Sequence, residues 1–334
     1  MKRLIRLDYA DVKYPPPPGL IESLAAELAR ANLYSSGDYT ELKNAYSRYS
    51  GVRPSQLLAG NGLDEVIDMV TRTWGRNVLI PAPTFSQFEL AAKRNRSRLA
   101  CADCFARGDY ELAFPDDGLR KASLVWICSP NNPTGTRIPR EDITRVLRKA
   151  KGMVCVDEAY YEFSRETVID LLNDYENLVV LRGLSKGFGL AGLKVGFAIS
   201  SEENIAKLER VRQIFNLNRL AEKAGAEVFQ YSDYYDGVRA RVIQARQRFT
   251  LALVGMGFIP LPSCTNFLLV KFSSTEEARW VCESLKQERV LALPAWDGEF
   301  TGLNGPFIRF SIGTEEDMVE AERRLEYILS RRKS

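Results

Sequence analysis

A lysine in a glycine-rich segment is the feature of this sequence that best indicates chemistry. The 334 residues include no histidine, which removes the commonest general base and metal ligand. Lys186 follows Ser185 and is followed by Gly187 and Gly189, which would let the backbone lie close to a bound group. A lysine can form a Schiff base with an aldehyde cofactor and then carry protons as the free amine. Taken alone, however, a lysine is most often a solvated surface residue, so other residues must supply a pocket.

Two turns in the sequence are suited to holding such a cofactor. The glycine turn at 60–62 follows a predicted strand and opens a predicted helix, where free N–H groups and the helix dipole favour a phosphate. The turn at 129–135 contains Asn132, whose amide could reach a ring oxygen. Each turn is a weak signal by itself, because Gly, Asn and Pro are common in ordinary turns.

A carboxylate and a phenol follow another predicted strand. Asp157 lies at the end of that strand, and Tyr160 comes three residues later. A buried carboxylate needs a partner, and a protonated pyridine nitrogen would be one, although an isolated Asp there is more often a helix cap. Ligands of open parallel sheets bind beyond the carboxyl ends of the strands. Because Asn132, Asp157 and Lys186 all follow strands, we predict that they share one pocket.

Alternating apolar strands and amphipathic helices predict an α/β fold with a mostly parallel, seven-stranded sheet covered by helices on both faces. The predicted strands are 56–59, 77–81, 98–104, 123–128, 153–157, 178–182 and 195–200, and the predicted helices are 64–74, 84–95 and 140–150. A helical tract from 202 to about 255 leads to a smaller α+β unit, with strands at 266–272, 290–293 and 307–312 and helices at 276–288 and up to 331. The prolines at 15–18 favour a short extended arm. We expect residues 1–33 to form an N-terminal arm and part of the small domain, 34–240 the large domain, and 241–334 the C-terminal small domain.

The composition narrows the class of protein. Lysine and arginine number 46 and aspartate and glutamate 43, and the resulting net charge of +3 does not indicate a nucleic-acid surface. The first ten residues lack the apolar core of a secretory signal, and no apolar run approaches the ~20 residues of a membrane-spanning helix. Cys101 and Cys104 form a C-x-x-C pair without a second pair or a histidine, so no metal site is predicted. We expect a cytoplasmic protein with no nucleic-acid or membrane partner.

Six motifs in this order resemble those of fold-type I pyridoxal-phosphate aminotransferases, and most closely the histidinol-phosphate aminotransferase family. They are G-N-G-x-D-E, P-x-P-T-F, S-P-N-N-P-T-G, D-E-A-Y, S-K-G-F-G-L-A-G-L-K-V-G-F and I-R-F-S-I-G-T. The similarity extends from about Ile5 to Tyr327. It implies an enzyme of amino-acid biosynthesis, and of histidine biosynthesis in particular, that uses pyridoxal 5'-phosphate. Such an enzyme moves an amino group between an amino acid or amino-alcohol phosphate and a 2-oxo acid, with glutamate and 2-oxoglutarate as one pair.

The resemblance also implies roles around the cofactor. Lys186 would carry the cofactor and move the proton, and Asp157 would keep the ring nitrogen protonated. Tyr160 and Asn132 would hydrogen-bond the ring hydroxyl. The remaining cofactor contacts would come from a stacking ring and from groups around the phosphate, namely Phe85, Leu63, Asp64, Ser185 and Lys194.

Two further residues have implied roles, one toward the substrate and one toward the neighbouring subunit. Arg309 would hold the substrate carboxylate, because a planar bidentate donor suits that group, and Asn132 would also lie near the substrate. Tyr34 would reach across a homodimer to the phosphate in the neighbouring site. The resemblance therefore implies two shared active sites per dimer.

Three positions differ from the family pattern. Lys194 stands where the family usually has an arginine that grips the cofactor phosphate, and lysine keeps the charge but loses the bidentate fork. Gly183 replaces a Ser or Thr that supplies a hydroxyl to the phosphate. Leu293 replaces an arginine that relatives acting on phosphorylated substrates tend to carry before the proline, so a phosphorylated substrate would lack one charged partner.

Three alternatives to the leading interpretation stay open. A decarboxylase of the threonine-phosphate type would use the same Lys186 but orient the carboxylate perpendicular to the ring plane. An aromatic amino acid aminotransferase would keep the reaction and change the substrate. A cofactor-free relative that acts as a binding partner is disfavoured, because Lys186, Asp157 and Arg309 are all retained.

Overall fold

In the computed structural model, which describes residues 2–106 and 109–332, strands and helices alternate through most of the chain. The strands are β1 Ile5–Leu7, β2 Leu57–Asn61, β3 Asn77–Ala82, β4 Thr84–Phe85, β5 Arg98–Asp103, β6 Phe105–Ala106, β7 Asp109–Tyr110, β8 Leu124–Cys128, β9 Met153–Asp157, β10 Leu178–Gly183, β11 Val195–Ile199, β12 Ile259–Pro260, β13 Phe267–Lys271, β14 Val290–Pro294, β15 Phe300–Thr301 and β16 Phe307–Ser311. The helices are α1 Pro18–Glu27, α2 Thr40–Ser50, α3 Gly62–Trp74, α4 Ser86–Arg94, α5 Asp116–Lys121, α6 Arg140–Lys149, α7 Tyr161–Ser164, α8 Glu202–Glu209, α9 Arg219–Glu227, α10 Ser232–Gly255, α11 Thr275–Gln287 and α12 Glu315–Arg332.

The large sheet has seven strands in the order β2-β11-β10-β9-β8-β3-β5, and β11 pairs antiparallel with both of its neighbours. All five residues of β8, β9 and β11 are buried, as expected for strands covered on both faces. Successive side chains of β8 enter opposite cores, Val125 one and Trp126 the other. The predicted α/β class with a mostly parallel seven-stranded sheet is confirmed.

The smaller sheet combines the start and the end of the chain. Its order is β1-β14-β16-β13-β12, with β1 parallel to β14 and the other pairs antiparallel. Ile5 and Leu7 of β1 share a core with residues of α10, α11 and α12. Because β1 is held in this sheet, the segment that follows it is held beside the edge of the large sheet where the predicted site lies.

The helix α10 belongs to both halves of the molecule. Tyr235 in its first turn packs in the core of the large sheet, whereas Val242, Phe249 and Leu253 pack in the core of the small sheet. The proposed division between residues 240 and 241 falls inside this helix. That division remains a proposal, and its outer ends, residue 1 and residues 333–334, lie outside the described residues.

The structure corrects two predicted helices and refines the arm. The tract at 202–255 is three helices, because Asn218 accepts a hydrogen bond from the backbone N–H of Ala221 and so caps a new helix, α9. The helix predicted at 84–95 begins at Ser86, since residues 84–85 pair with β15 instead. The proline arm is extended through Pro17, and Pro18 begins α1.

No helix in the described part of the chain is long and apolar enough to cross a membrane. Within residues 2–106 and 109–332, no group of three or more Cys, Asp or Glu side chains could hold a metal ion.

Candidate active site

A cavity of about 650 Å³ opens at the carboxyl ends of the parallel strands. One wall comes from residues that follow β8, β9 and β10, and the facing wall from β14 and β16 of the small sheet. Of the eleven site residues predicted from the sequence, ten line this cavity: Leu63, Asp64, Phe85, Asn132, Asp157, Tyr160, Ser185, Lys186, Lys194 and Arg309. Residues that are scattered along the chain therefore meet in one place.

Lys186 lies just beyond the end of β10, with its amine inside the cavity wall. Its Nζ donates a hydrogen bond to the backbone carbonyl of Ala10 at 2.8 Å and lies 5.9 Å from the centre of the Tyr160 ring. Burial lowers the pKa of the Lys186 amine from 10.5 to about 8, and the nearby Arg309 guanidinium acts in the same direction. A substantial fraction of this amine is therefore neutral, and nucleophilic, close to physiological pH.

The lowered pKa of Lys186 gives a pH-dependent prediction. In the cofactor-free protein, trinitrobenzenesulfonate should label Lys186 with a rate that rises with pH and is half-maximal at about pH 8, since only the neutral amine reacts. Ordinary lysines titrate at about 10.4. Peptide mapping of the labelled protein would measure the profile, and Lys186→Arg should remove it. A midpoint at or above about pH 10 would contradict the burial of this amine.

Asp157 ends β9 and is only 3% exposed. Its Oδ1 accepts a hydrogen bond from the backbone N–H of Ala159 at 2.9 Å, and no cationic side chain of the described residues forms an ion pair with it. Burial raises the pKa of this carboxyl to about 7. A carboxylate that is buried at a cavity wall without a cation fits a ligand that brings a protonated nitrogen.

Asn132 and Tyr160 are buried on either side of the same cavity. The Oδ1 of Asn132, which follows β8, accepts a hydrogen bond from Nη1 of Arg309 at 2.8 Å. Tyr160 is 4% exposed, and its ring meets the ring of Phe267 edge to face at a centroid distance of 5.3 Å. Burial raises the pKa of the Tyr160 phenol above its usual range, so the hydroxyl stays protonated and can donate a hydrogen bond.

Arg309 is a buried cation without a carboxylate partner among the described residues. It lies in β16 and is 5% exposed; its Nη1 bonds to Asn132, its Nη2 donates to the Asp8 carbonyl at 2.8 Å, and its Nε has no partner. Its Cζ lies 5.1 Å from the ring centres of both Phe267 and Phe300. Burial lowers the pKa of Arg309. A buried guanidinium that lacks an anion fits an anionic ligand.

The first turn of α3 provides a candidate phosphate site. Gly62 has φ of +75°, and Lys194 crosses it so closely that a Cβ on Gly62 would lie 3.1 Å from the lysine Cε. The Nζ of Lys194 pairs with Oδ2 of Asp64 at 2.8 Å. A Cβ on Gly183 would lie 3.3 Å from Cγ of Leu63, so glycine at this position leaves room for that side chain. Helix N–H groups and one ammonium thus face the cavity.

The substitution Lys194→Arg should tighten the binding of the pyridoxal phosphate that the motif resemblance implies. A guanidinium adds a second parallel N–H donor to the phosphate, and we expect the Kd to fall about three- to tenfold, a modest change because the side chain is half exposed. Titration of the cofactor-free protein, followed by protein fluorescence, would measure it. Lys207→Arg, on the surface of α8, is the matched control and should leave the Kd unchanged. An unchanged Kd in Lys194→Arg would remove Lys194 from the phosphate site.

Phe85 and Ser185 complete the cavity wall, whereas Tyr34 lies elsewhere. Phe85 is half-buried, and its ring meets the Phe88 ring edge to face at 6.0 Å. Tyr34 is 77% exposed, and its ring stacks on Phe215 at 4.6 Å, away from the cavity of its own chain. The structure of one chain therefore does not bring Tyr34 to the site.

Sequence reasoning missed the N-terminal segment that follows β1. Residues 8–11 line the cavity, and the Ala10 carbonyl accepts hydrogen bonds from Lys186 and, at 3.0 Å, from Nδ2 of Asn266. These contacts use the backbone, so no side-chain motif marks them. The segment is placed by the parallel pairing of β1 with β14. Because β1 has only three residues, neither the strand nor its register could be predicted from the sequence.

Lys186, the buried Asp157 and an Arg309 that has no carboxylate partner in the described chain line one cavity between the two sheets. This arrangement suits an enzyme that combines a carbonyl cofactor with an anionic substrate. The sequence profile described as aminotransferase class I and II matches residues 2–325. The chain belongs to this family. It is a pyridoxal-phosphate-dependent aminotransferase, and the buried Asp157 and the free Nε of Arg309 fit that cofactor and an acidic substrate.

Comparison with individual proteins agrees with this family. A histidinol-phosphate aminotransferase of Rippkaea orientalis is 32% identical over 332 residues, covering 97% of this chain and 91% of the relative. The crystal structure of histidinol-phosphate aminotransferase from Sinorhizobium meliloti in complex with pyridoxal-5'-phosphate has a TM-score of 0.88 at 22% identity, covering 98% of this chain and 91% of the other.

The fold alone does not select one reaction within this group. The crystal structure of L-threonine-O-3-phosphate decarboxylase from Porphyromonas gingivalis has a TM-score of 0.84 at 19% identity, covering 98% of this chain and all of the other. The sequence profile and the named relative at 32% identity favour an aminotransferase over the decarboxylase alternative.

Proposed function

We propose that this aminotransferase moves the amino group of histidinol phosphate to 2-oxoglutarate, as the names of its relatives suggest. The observation that carries the proposal is Arg309, a buried guanidinium that faces the cavity without a carboxylate partner in the described chain. Glutamate and 2-oxoglutarate would present a carboxylate to it, and histidinol phosphate would present its phosphate. One cation would therefore serve both halves of the reaction.

We assign the cofactor roles to the residues that line the cavity. Pyridoxal phosphate, when bound, supplies an electron sink for carbanion chemistry. Lys186, with a pKa of about 8, would accept and return a proton at its Nζ near neutral pH. Asp157 would ionise beside a protonated ring nitrogen, and Tyr160 would donate a hydrogen bond to the ring oxygen.

The remaining contacts would fix the ring and its phosphate. Phe85 would cover one face of the ring and Asn132 would lie at the ring oxygen, close to Arg309. The phosphate would bind four groups at the opposite end of the cavity: the backbone N–H groups of Leu63 and Asp64, the hydroxyl of Ser185 and the ammonium of Lys194.

We also propose a homodimer in which Tyr34 reaches the neighbouring site. Exposed apolar residues surround it: Leu33 is 50%, Ile214 71% and Phe215 47% exposed. Such a patch marks an interaction surface more often than a solvated one. Light scattering of the purified protein would measure the mass, and a monomer would reject the proposal. A cytoplasmic location remains a prediction of the sequence.

A spectroscopic experiment tests the proposed reaction. Histidinol phosphate, added to the cofactor-loaded protein without any 2-oxo acid, should convert the yellow cofactor to its pyridoxamine form, and 2-oxoglutarate should restore the yellow form. Release of carbon dioxide from threonine phosphate would instead favour the decarboxylase. Conversion by an aromatic amino acid, with none by histidinol phosphate, would keep the aminotransferase and reject this substrate.

Leu293→Arg should improve the use of a phosphorylated substrate. Leu293 is 7% exposed, lines the cavity and lies opposite Arg309 in the β14–β16 register, so a phosphate dianion would meet only one guanidinium. A second guanidinium should lower the KM for histidinol phosphate about tenfold and that for glutamate much less. Steady-state kinetics would measure both. Leu293→Met keeps the shape without the charge and should change neither; equal KM values in all three proteins would contradict the prediction.

A further inference from the structure

A buried arginine outside the cavity contacts the residue next to Lys186. Arg239 lies in α10 and is 4% exposed. Its Nη1 donates a hydrogen bond to the carbonyl oxygen of Gly187 at 2.8 Å, and its Nη2 donates to Oδ1 of Asp236 at 2.6 Å. It does not line the cavity, so it does not touch the substrate or the cofactor.

The glycine that follows Lys186 is held from two sides. A Cβ on Gly187 would lie 2.4 Å from the Cβ of Glu162, which is itself 3% exposed, so glycine is required for this approach. The guanidinium of Arg239 closes the other side, and its Cζ lies 5.4 Å from the ring centre of the fully buried Phe188. Residues 186–188 therefore have little conformational freedom while the Arg239 guanidinium holds the Gly187 carbonyl.

The helix that carries Arg239 also contacts the strand that carries Arg309. Arg239 lies between Tyr235, which packs in the large-sheet core, and Val242, which packs in the small-sheet core. Further along α10, Phe249 meets Phe310 of β16 edge to face at 5.7 Å. One rigid helix thus touches both the Lys186 segment and the neighbour of Arg309.

We infer that Arg239 is a positioning residue, which fixes the Lys186 amine through the Gly187 carbonyl and links it to the small-sheet strand that holds Arg309. This inference rests on the proposed aminotransferase function. Reactive groups must be placed within about 1 Å, and misplacement on that scale can cost about 100-fold in rate. Loss of the Arg239 guanidinium would release the Gly187 carbonyl and leave the contacts of Arg309 in place. We therefore expect the reactions of the Lys186 amine to slow while substrate binding is retained.

The test compares Arg239→Met and Arg239→Lys with Arg248→Met, which removes an exposed arginine of the same helix. Two rates are measured. One is the attachment of pyridoxal phosphate to the cofactor-free protein, followed by absorbance, and the other is steady-state turnover with glutamate as the amino donor and the ketone that corresponds to histidinol phosphate as the amino acceptor. For Arg239→Met we expect both the attachment rate and kcat to fall about 10- to 100-fold, with the KM for glutamate within about twofold of the wild type. Arg239→Lys should lie between, and Arg248→Met should match the wild type.

Several outcomes would overturn the inference. An Arg239→Met protein that is folded, with a lower Tm but wild-type attachment and kcat, would make Arg239 a purely structural residue. If Arg239→Met does not fold, Asp236→Ala removes the acceptor that forms the second anchor of the guanidinium, and wild-type rates in that variant would reject the role. Attachment is measured without any amino donor, so a wild type that binds cofactor but fails to transaminate rejects the proposed function and leaves Arg239 testable.

Discussion

Lys186→Ala is expected to bind pyridoxal phosphate only by its non-covalent contacts and to lose turnover by at least about a thousandfold. The amine is the nucleophile that would hold the cofactor and, at a pKa of about 8, the group that would exchange the proton. Neither of the two other lysines that line the cavity is placed to replace it, because the Nζ of Lys194 is paired with Asp64 and Lys286 is exposed on α11. Absorbance of the loaded protein and the rate of glutamate conversion would measure both losses.

One further variant separates the amine of Lys186 from its charge, and another serves as a surface control. Lys186→Arg keeps a cation beside the Ala10 carbonyl but cannot form the covalent bond, so it should be as inactive as Lys186→Ala. Lys207→Ala removes a surface lysine of α8 and should retain full activity. Turnover within about tenfold of the wild type in Lys186→Ala would reject this lysine as the proton carrier.

Sequence patterns were enough to bring Asp157 and Asn132 into one candidate site, because the relevant information is local. Asp157 ends the buried strand β9, and Asn132 lies in the turn that follows the neighbouring strand β8. In a parallel sheet the carboxyl ends of neighbouring strands necessarily meet at one edge. Composition and apolar runs are enough to find such strands. The register that brings Cys128 level with Asp157 then follows from the packing of the sheet.

The parts that were missed are one local break and several contacts between distant segments. Residues 210–218 are not helical and separate α8 from α9, and apolar spacing alone does not reveal that Asn218 caps a new helix. The contact of Asn132 with Arg309 joins residues 177 positions apart, and Arg239 meets Gly187 through a backbone oxygen. Such pairs become visible only when the two sheets are placed against each other.

Arg309→Met is expected to lower kcat/KM for glutamate by about 100- to 1,000-fold, mainly through KM. The guanidinium has a free Nε and lies between Phe267 and Phe300, so without it a carboxylate would be buried against aromatic rings with no cation. Arg309→Lys keeps the charge but not the fork, and a loss of about tenfold is expected. Initial rates at varied glutamate would measure each.

The same variants separate substrate binding from cofactor attachment. Arg309 makes its direct contacts with Asn132 and with the Asp8 carbonyl, so pyridoxal phosphate should still attach to Lys186 in Arg309→Met. Because Arg309 lowers the pKa of the Lys186 amine, its removal should raise that pKa and slow attachment at pH 7, where less amine is neutral, and this loss should disappear above about pH 9. Arg53→Met, an exposed control, should change neither quantity. If kcat/KM were unchanged in Arg309→Met, the substrate anion would bind elsewhere in the cavity.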